Sequence, residues 1–266
     1  MKTWQIAGSA WRVTRDSFSV VAAILILQVV LGLLGLPLLN QGGAPTTGQT
    51  VLAVILGLGN FLLWPLIQGG VLALANGKLA GQPAAATSPL GALLAGGKAF
   101  YLRMLGFGVL WGLMTVLLVI VGAALFTLAA AAGAKTPALG VLIVLAMLAP
   151  LGIGAYLLIV LTSTAPVAIL VENLKLFAGM RRGLTVGRSI FWKLILVSLA
   201  VTVTLLPAIG LAMLLAYVQG DPATISMGWR IVNLVIQSAL NAVSIFLFSA
   251  AFVQVYRTRI AQPAAA

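Results

Sequence analysis

Gly183, Gly187, Arg188 and Ser189 are the residues whose types and spacing come nearest to a reaction site. A nucleotide-binding loop of the form G-x-x-x-x-G-K-[ST] follows a strand, curls its backbone amides round the phosphates and brings a lysine over them. Here three residues separate the glycines, Arg188 stands where lysine is needed, and the segment follows a long apolar run with no aspartate nearby to hold magnesium. Nucleotide chemistry is therefore not expected. Gly179, Gly183 and Gly187 fall at four-residue steps, which on a helix makes a smooth ridge suited to close approach of a neighbouring helix. Three glycines weaken a helix by about 0.8–1 kcal/mol each relative to alanine, so contact with protein or membrane must offset that cost. A solvated loop is the alternative.

Other reactive groups are scarce. The chain has no cysteine and no histidine, which removes thiolate nucleophiles, imidazole bases and most transition-metal sites. Its three acids are Asp16, Glu172 and Asp221. Glu172 precedes Lys175 by three residues and reads as half of an ion pair, Asp16 falls on the same side of the membrane, and Asp221 on the other. No catalytic residue, metal site or cofactor is expected, and the chain is read as not an enzyme.

Uncharged polar residues inside apolar segments are the remaining place to look for a path. Gln28, Asn60, Gln68, Gln237 and Asn241 are the candidates, and Asn233, Gln237 and Asn241 form one stripe at four-residue steps, extended toward Ser244. Such amides either bond across helices or line a cavity; if there is a cavity, that stripe lines it. Ser238, Ser244, Thr202 and Thr204 read as satisfied by neighbouring carbonyls. Trp111, away from the interface where tryptophan usually sits, is a candidate to fill the notch made by Gly69 and Gly70 beyond Pro65.

These residues sit in a chain of 266 residues that is 62% apolar and only 7% charged, with a mean hydropathy of +1.18. Soluble domains are about a quarter charged. The composition specifies a polytopic membrane protein, all-α, because only helices or closed barrels satisfy every backbone group in hydrocarbon. A span takes roughly 20 apolar residues, and six are read: residues 18–39, 51–72, 105–130, 138–169, 190–217 and 231–255. Pro150 and Pro166 predict a kink or an early exit in the fourth. Connections at residues 40–50, 131–137 and 219–228 are short and nearly free of cations. The first span is too long for a signal peptide's apolar core and lacks a small-residue cleavage site, so it is read as retained. The whole, residues 1–266, reads as a single integral membrane domain.

The net charge of +12 decides orientation rather than ligand. Thirteen cations lie on one side: Lys2, Arg12, Arg15, Lys78, Lys98, Arg103, Lys175, Arg181, Arg182, Arg188, Lys193, Arg257 and Arg259. Lys135 and Arg230 lie on the other. Under the positive-inside rule both termini are cytoplasmic. The cations flank apolar segments, so membrane lipids, anionic ones above all, are the expected partners, with a membrane protein as a further candidate and no nucleic acid.

Arg15-Asp16-Ser17-Phe18, Lys98-Ala99-Phe100-Tyr101 and Arg188-Ser189-Ile190-Phe191-Trp192 each set a cation shortly before an aromatic at the start of a span, at intervals of 83 and 90 residues. Two readings fit. One is a repeat over residues 1–82, 83–172 and 173–256, each copy an amphipathic cytoplasmic helix leading into a two-span hairpin. The other is that any cytoplasmic start of a span collects a cation and an aromatic anchor. In the first lead-in helix Trp4, Trp11 and Phe18 form a stripe. In the last, Phe177, Met180, Leu184 and Phe191 lie away from Arg181, Arg182, Thr185 and Arg188. Such helices rest in the headgroup plane, aromatics inward and arginines toward lipid phosphate. Arg12, Arg15, Lys98, Arg103, Arg181, Arg182, Arg188 and Lys193 are the candidate headgroup contacts.

The run Ala165-Pro166-Val167-Ala168-Ile169-Leu170-Val171-Glu172, then Leu176-Phe177-Ala178-Gly179-Met180-Arg181-Arg182-Gly183-Leu184-Thr185 and Phe191-Trp192, resembles the YciC-like bacterial inner-membrane proteins. It is also similar to the membrane domain associated with some glycerophosphodiester phosphodiesterases. It departs at Gly183, where that pattern more often has serine. The resemblance implies a helical inner-membrane protein linked to envelope lipids and carries over no catalytic residue. Two functions are then in view: a structural or accessory envelope protein whose basic helices contact anionic lipid, and a permease-like or lipid-handling protein with a weakly polar path through its bundle.

Overall fold

The computed structural model describes residues 2–38, 46–81, 88–219 and 226–261. Asp221, the end of the first predicted span at Leu39, and parts of the connections predicted at 40–50 and 219–228 lie outside them. The described chain is helical: α1 Thr3–Arg15, α2 Phe18–Gly35 with a 3-10 turn Leu36–Leu38, α3 Thr47–Leu79, α4 Pro89–Lys135, α5 Pro137–Val171, α6 Leu176–Ser189, α7 Phe191–Gln219 and α8 Met227–Ile260. Six helices, α2, α3, α4, α5, α7 and α8, are long and apolar enough to cross a membrane. The protein is a multi-pass, all-α membrane protein.

The long helices overrun the predicted spans for readable reasons. Thr46 opens α3 with a capping box: its backbone N–H donates to Gln49 Oε1 at 2.7 Å, and its hydroxyl accepts from Gln49 N at 3.4 Å. Ser88 Oγ accepts from Gly91 N at 3.0 Å and starts α4 with Pro89 in its first turn. The connection predicted at residues 131–137 shrinks to Thr136. Alanines 129–132 are strong helix formers and carry α4 onward, while Pro137 supplies the preset φ of a new helix. The early exit expected as one of two outcomes at Pro150 and Pro166 does not occur, α5 running from Pro137 to Val171. At 47 residues, α4 measures about 70 Å.

The chain divides into two compact units. Unit 1 comprises residues 1–101 and 192–266, and unit 2 residues 102–191. In unit 1, α8 touches α1, α2 and α3. The buried residues of α3 lie between Pro65 and Ala75 and those of α8 between Ser238 and Tyr256, so the core gathers toward the end marked by Lys78 and Arg257. Toward the other end Ile26, Val30, Val54, Ile55 and Val232 are exposed, an apolar surface suited to lipid. The first stretch of α4 lies antiparallel on α3. A side chain at Gly70 would meet Leu93, one at Gly97 would meet Leu66, and Tyr101 Oη donates to Leu62 O at 3.2 Å. The Gly69–Gly70 notch therefore takes Leu93 and Gly96, while Trp111 is 38% exposed.

Unit 2 is built from α5 with the helices on either side of it in sequence. Gly154 faces Leu118 and Gly140 faces Gly133, an antiparallel pairing of α4 and α5. The chain then turns at Asn173, whose φ of 51° is the left-handed conformation that asparagine tolerates, and Leu174 N donates to Ile169 O at 3.0 Å to close the helix end.

Candidate functional site

Gly183, Gly187, Arg188 and Ser189 all lie in one helix, α6, so no phosphate loop forms. Its glycine ridge lies antiparallel along the last turns of α5: a side chain at Gly179 would strike Ile169, one at Gly183 the backbone of Ala165 at 2.7 Å, and one at Gly187 Thr164 at 2.9 Å. Thr164 Oγ1 stands 2.8 Å from Gly183 O and 2.6 Å from Val160 O, within donating distance of both. The glycines and Val186 are buried, whereas Phe177, Arg181, Arg182, Thr185 and Arg188 are exposed on the other side. α6 is thus fixed by backbone proximity on one face and presents cations on the other.

In unit 2 the predicted headgroup cations Arg182 and Arg103 have protein partners. Arg182 Nε lies 3.1 and 3.2 Å from the two oxygens of Glu172, replacing the predicted Glu172–Lys175 pair. The reason is local. The left-handed turn at Asn173 takes the chain off the helix, so Lys175 does not lie one turn above Glu172. Arg103 Nη1 donates to Asn173 Oδ1 at 2.7 Å and to Leu174 O at 3.3 Å, tying α4 to that same turn. Arg181, Arg188 and Lys98 are exposed and Lys193 is half-exposed.

Unit 1 has its own polar end. The buried face of α1, with Ile6, Ala10 and Val13, is separate from Trp4, Trp11 and Phe18, which are 61%, 48% and 70% exposed. Ser9 Oγ is within hydrogen-bonding reach of Gln254 Oε1 and lies 2.8 Å from Ile6 O. Lys78 Nζ donates to Asp16 O, and Arg257 Nη1 donates to Asn76 O at 3.1 Å and Asn76 Oδ1 at 3.0 Å. Ser9, Arg12, Asp16 and Lys78 line an open cleft of about 630 Å³. Arg15 is exposed and lies 3.5 Å from the Asp16 carboxylate. The Arg257–Asn76 and Ser9–Gln254 contacts had no sequence signal, since each joins helices far apart in the chain.

α1 and α6 also leave their junctions in the same way. Ser17 before Phe18 has φ/ψ of −112°/19°, and Ile190 before Phe191 has −119°/14°. The middle cation–aromatic pair departs from this pattern. Lys98, Phe100 and Tyr101 lie inside continuous α4, where Ala99 offers no break, so no separate lead-in helix exists there.

The predicted polar residues converge in unit 1. Gln28 from α2, Asn60 from α3, and Gln237 and Asn241 from α8 line one laterally open cavity of about 570 Å³, together with Ser238 and several leucines and glycines, and Asn60, Gln237 and Asn241 are exposed at its mouth. Asn233 sits one turn away, accepting from Gln237 Nε2 at 3.3 Å. Gln68 is half-buried and is not part of the lining. Gln28 Oε1 is buried with no hydrogen-bond partner among the described residues. Among those residues no group of three metal-ligating side chains occurs.

Comparison of the chain with family models, curated proteins and solved structures finds no match.

Proposed function

We propose that this chain is a non-enzymatic protein of a bacterial inner membrane, with both termini in the cytoplasm. Its role is structural or accessory in envelope lipid homeostasis, and α1 and α6 are amphipathic lead-in helices whose cations hold anionic lipid headgroups. The observation that carries the reading is the two-sidedness of α6. Its glycine face is docked on α5, leaving Arg181 and Arg188 exposed beside Phe177. A helix held that way by protein does not need Arg181 and Arg188 for folding, and those two are free to meet phosphate. The charge asymmetry between loops and the YciC-like pattern of residues 165–192 point the same way.

The test replaces Arg181, Arg182 and Arg188 with glutamine and follows binding of phosphatidylglycerol to the detergent-purified protein by native mass spectrometry. Each cation near an anionic surface contributes about 1 kcal/mol, and Arg182 contributes less because Glu172 already holds it. The triple variant should bind about tenfold to a hundredfold more weakly while inserting normally. Unchanged affinity in a correctly inserted variant sinks the proposal.

A further inference from the structure

The cavity lined by Gln28, Asn60, Gln237 and Asn241 draws its described lining from α2, α3 and α8 and the turn after α2. Gln28 is ten residues into α2, Asn60 thirteen into α3 and Gln237 ten into α8, or about 15–20 Å along each helix. In helices that cross about 30 Å of hydrocarbon, that is near mid-depth. Amides there have no water to satisfy them, and each unmade hydrogen bond is costly. Among the described residues no charged side chain lines the cavity, so none of them offers a partner to a phosphate or an ammonium group.

Gln28 supplies the sharper clue. Its Oε1 is buried and unpartnered, yet the side chain lines the cavity. The terminal torsion of glutamine is soft, so a small turn presents that oxygen to an occupant, which must then offer an O–H or N–H donor. Asn60 and Asn241 each bring an amide able to donate in return. Room for apolar arms comes from glycine. A side chain at Gly57 would meet nothing within 4 Å, and one at Gly35 only Leu56 at 3.9 Å.

We propose that this cavity binds an uncharged, hydroxyl-bearing amphiphile, with its hydroxyl on Gln28 and its acyl portion over the glycines. The probe is dioleoylglycerol, and its control is the same lipid with the hydroxyl acetylated, both added to the purified protein and read by native mass spectrometry. The wild type should bind dioleoylglycerol saturably and the acetylated lipid about tenfold more weakly, the loss of one well-placed hydrogen bond. Gln28→Leu should lower dioleoylglycerol to the level of its acetylated form and leave the acetylated form unchanged. Gly57→Leu, placed where there is open space, should abolish binding of both without unfolding the protein. Equal binding of the two lipids to the wild type overturns the proposal, as does full binding by Gly57→Leu. So does a dimer that the pair Gln237→Leu and Asn241→Leu dissolves, since a second copy would then be the occupant. The Arg181, Arg182 and Arg188 triple variant should bind dioleoylglycerol normally, which keeps this site separable from headgroup contact.

Discussion

Gly183 marks the tightest meeting of backbone with backbone between α5 and α6. A methyl group there would sit 2.7 Å from Ala165 Cα and 2.8 Å from Ala165 N, atoms that cannot step aside without moving the helix. Gly183→Ala should therefore destabilise the protein by about 1–3 kcal/mol, the usual cost of overpacking, against the roughly 1 kcal/mol that alanine's helix propensity would otherwise gain. Gly8→Ala, on the open face of α1 with nothing within 4 Å, keeps only the gain. Thermal unfolding in one detergent should place these two variants on opposite sides of the wild type. The same ridge was legible in the sequence, because three glycines at four-residue steps need a partner to repay their cost. Which helix repays it was not legible, since α6 is folded back onto α5 by the left-handed turn at Asn173, which residue spacing does not reveal. Glu172 shows the limit from the other direction. A three-residue spacing to Lys175 suggests a pair, but the spacing rule holds only inside a helix, and the helix ends at Val171.

At the scale of the elements, apolar length fixes the number of long helices but not where they stop. Alanine continues α4 through a segment rich enough in glycine and threonine to look like a loop, and capping by Thr46 and Gln49 starts α3 ahead of its apolar run. Helix ends depend on caps and turns, signals of a few residues that composition averages away. The amides behave differently. The stripe on α8 was visible from its spacing, whereas the convergence of Gln28 and Asn60 on it depends on how α2 and α3 lie against α8, which sequence periodicity does not encode. For α6, whose glycine face is docked and whose Phe177 is 74% exposed, the lipid-contact reading predicts a depth gradient. A nitroxide introduced at Phe177 should be relaxed chiefly by oxygen, which concentrates in the bilayer, and one at Thr185 chiefly by a water-soluble nickel complex. Equal accessibility of both sites to the nickel complex would mean that α6 lies in water.

Across the whole molecule, the cations alternate with the spans so strictly that one orientation satisfies thirteen of the 15. Four helices long and apolar enough to cross a membrane separate α1 from α6, an even number, so the proposed topology puts the two basic helices on one side and Ser226 at the start of α8 on the other. The proposed contact with anionic lipid depends on that side being cytoplasmic. Because the chain lacks cysteine, single thiols report without background. The most direct measurement is labelling of Gly8→Cys, Thr185→Cys and Ser226→Cys with a membrane-impermeant maleimide, in intact spheroplasts and in inverted vesicles. Gly8→Cys and Thr185→Cys should react only in inverted vesicles and Ser226→Cys only in spheroplasts. Reaction of Gly8→Cys or Thr185→Cys in spheroplasts would contradict the cytoplasmic placement of the basic helices, and with it the proposed role of their arginines.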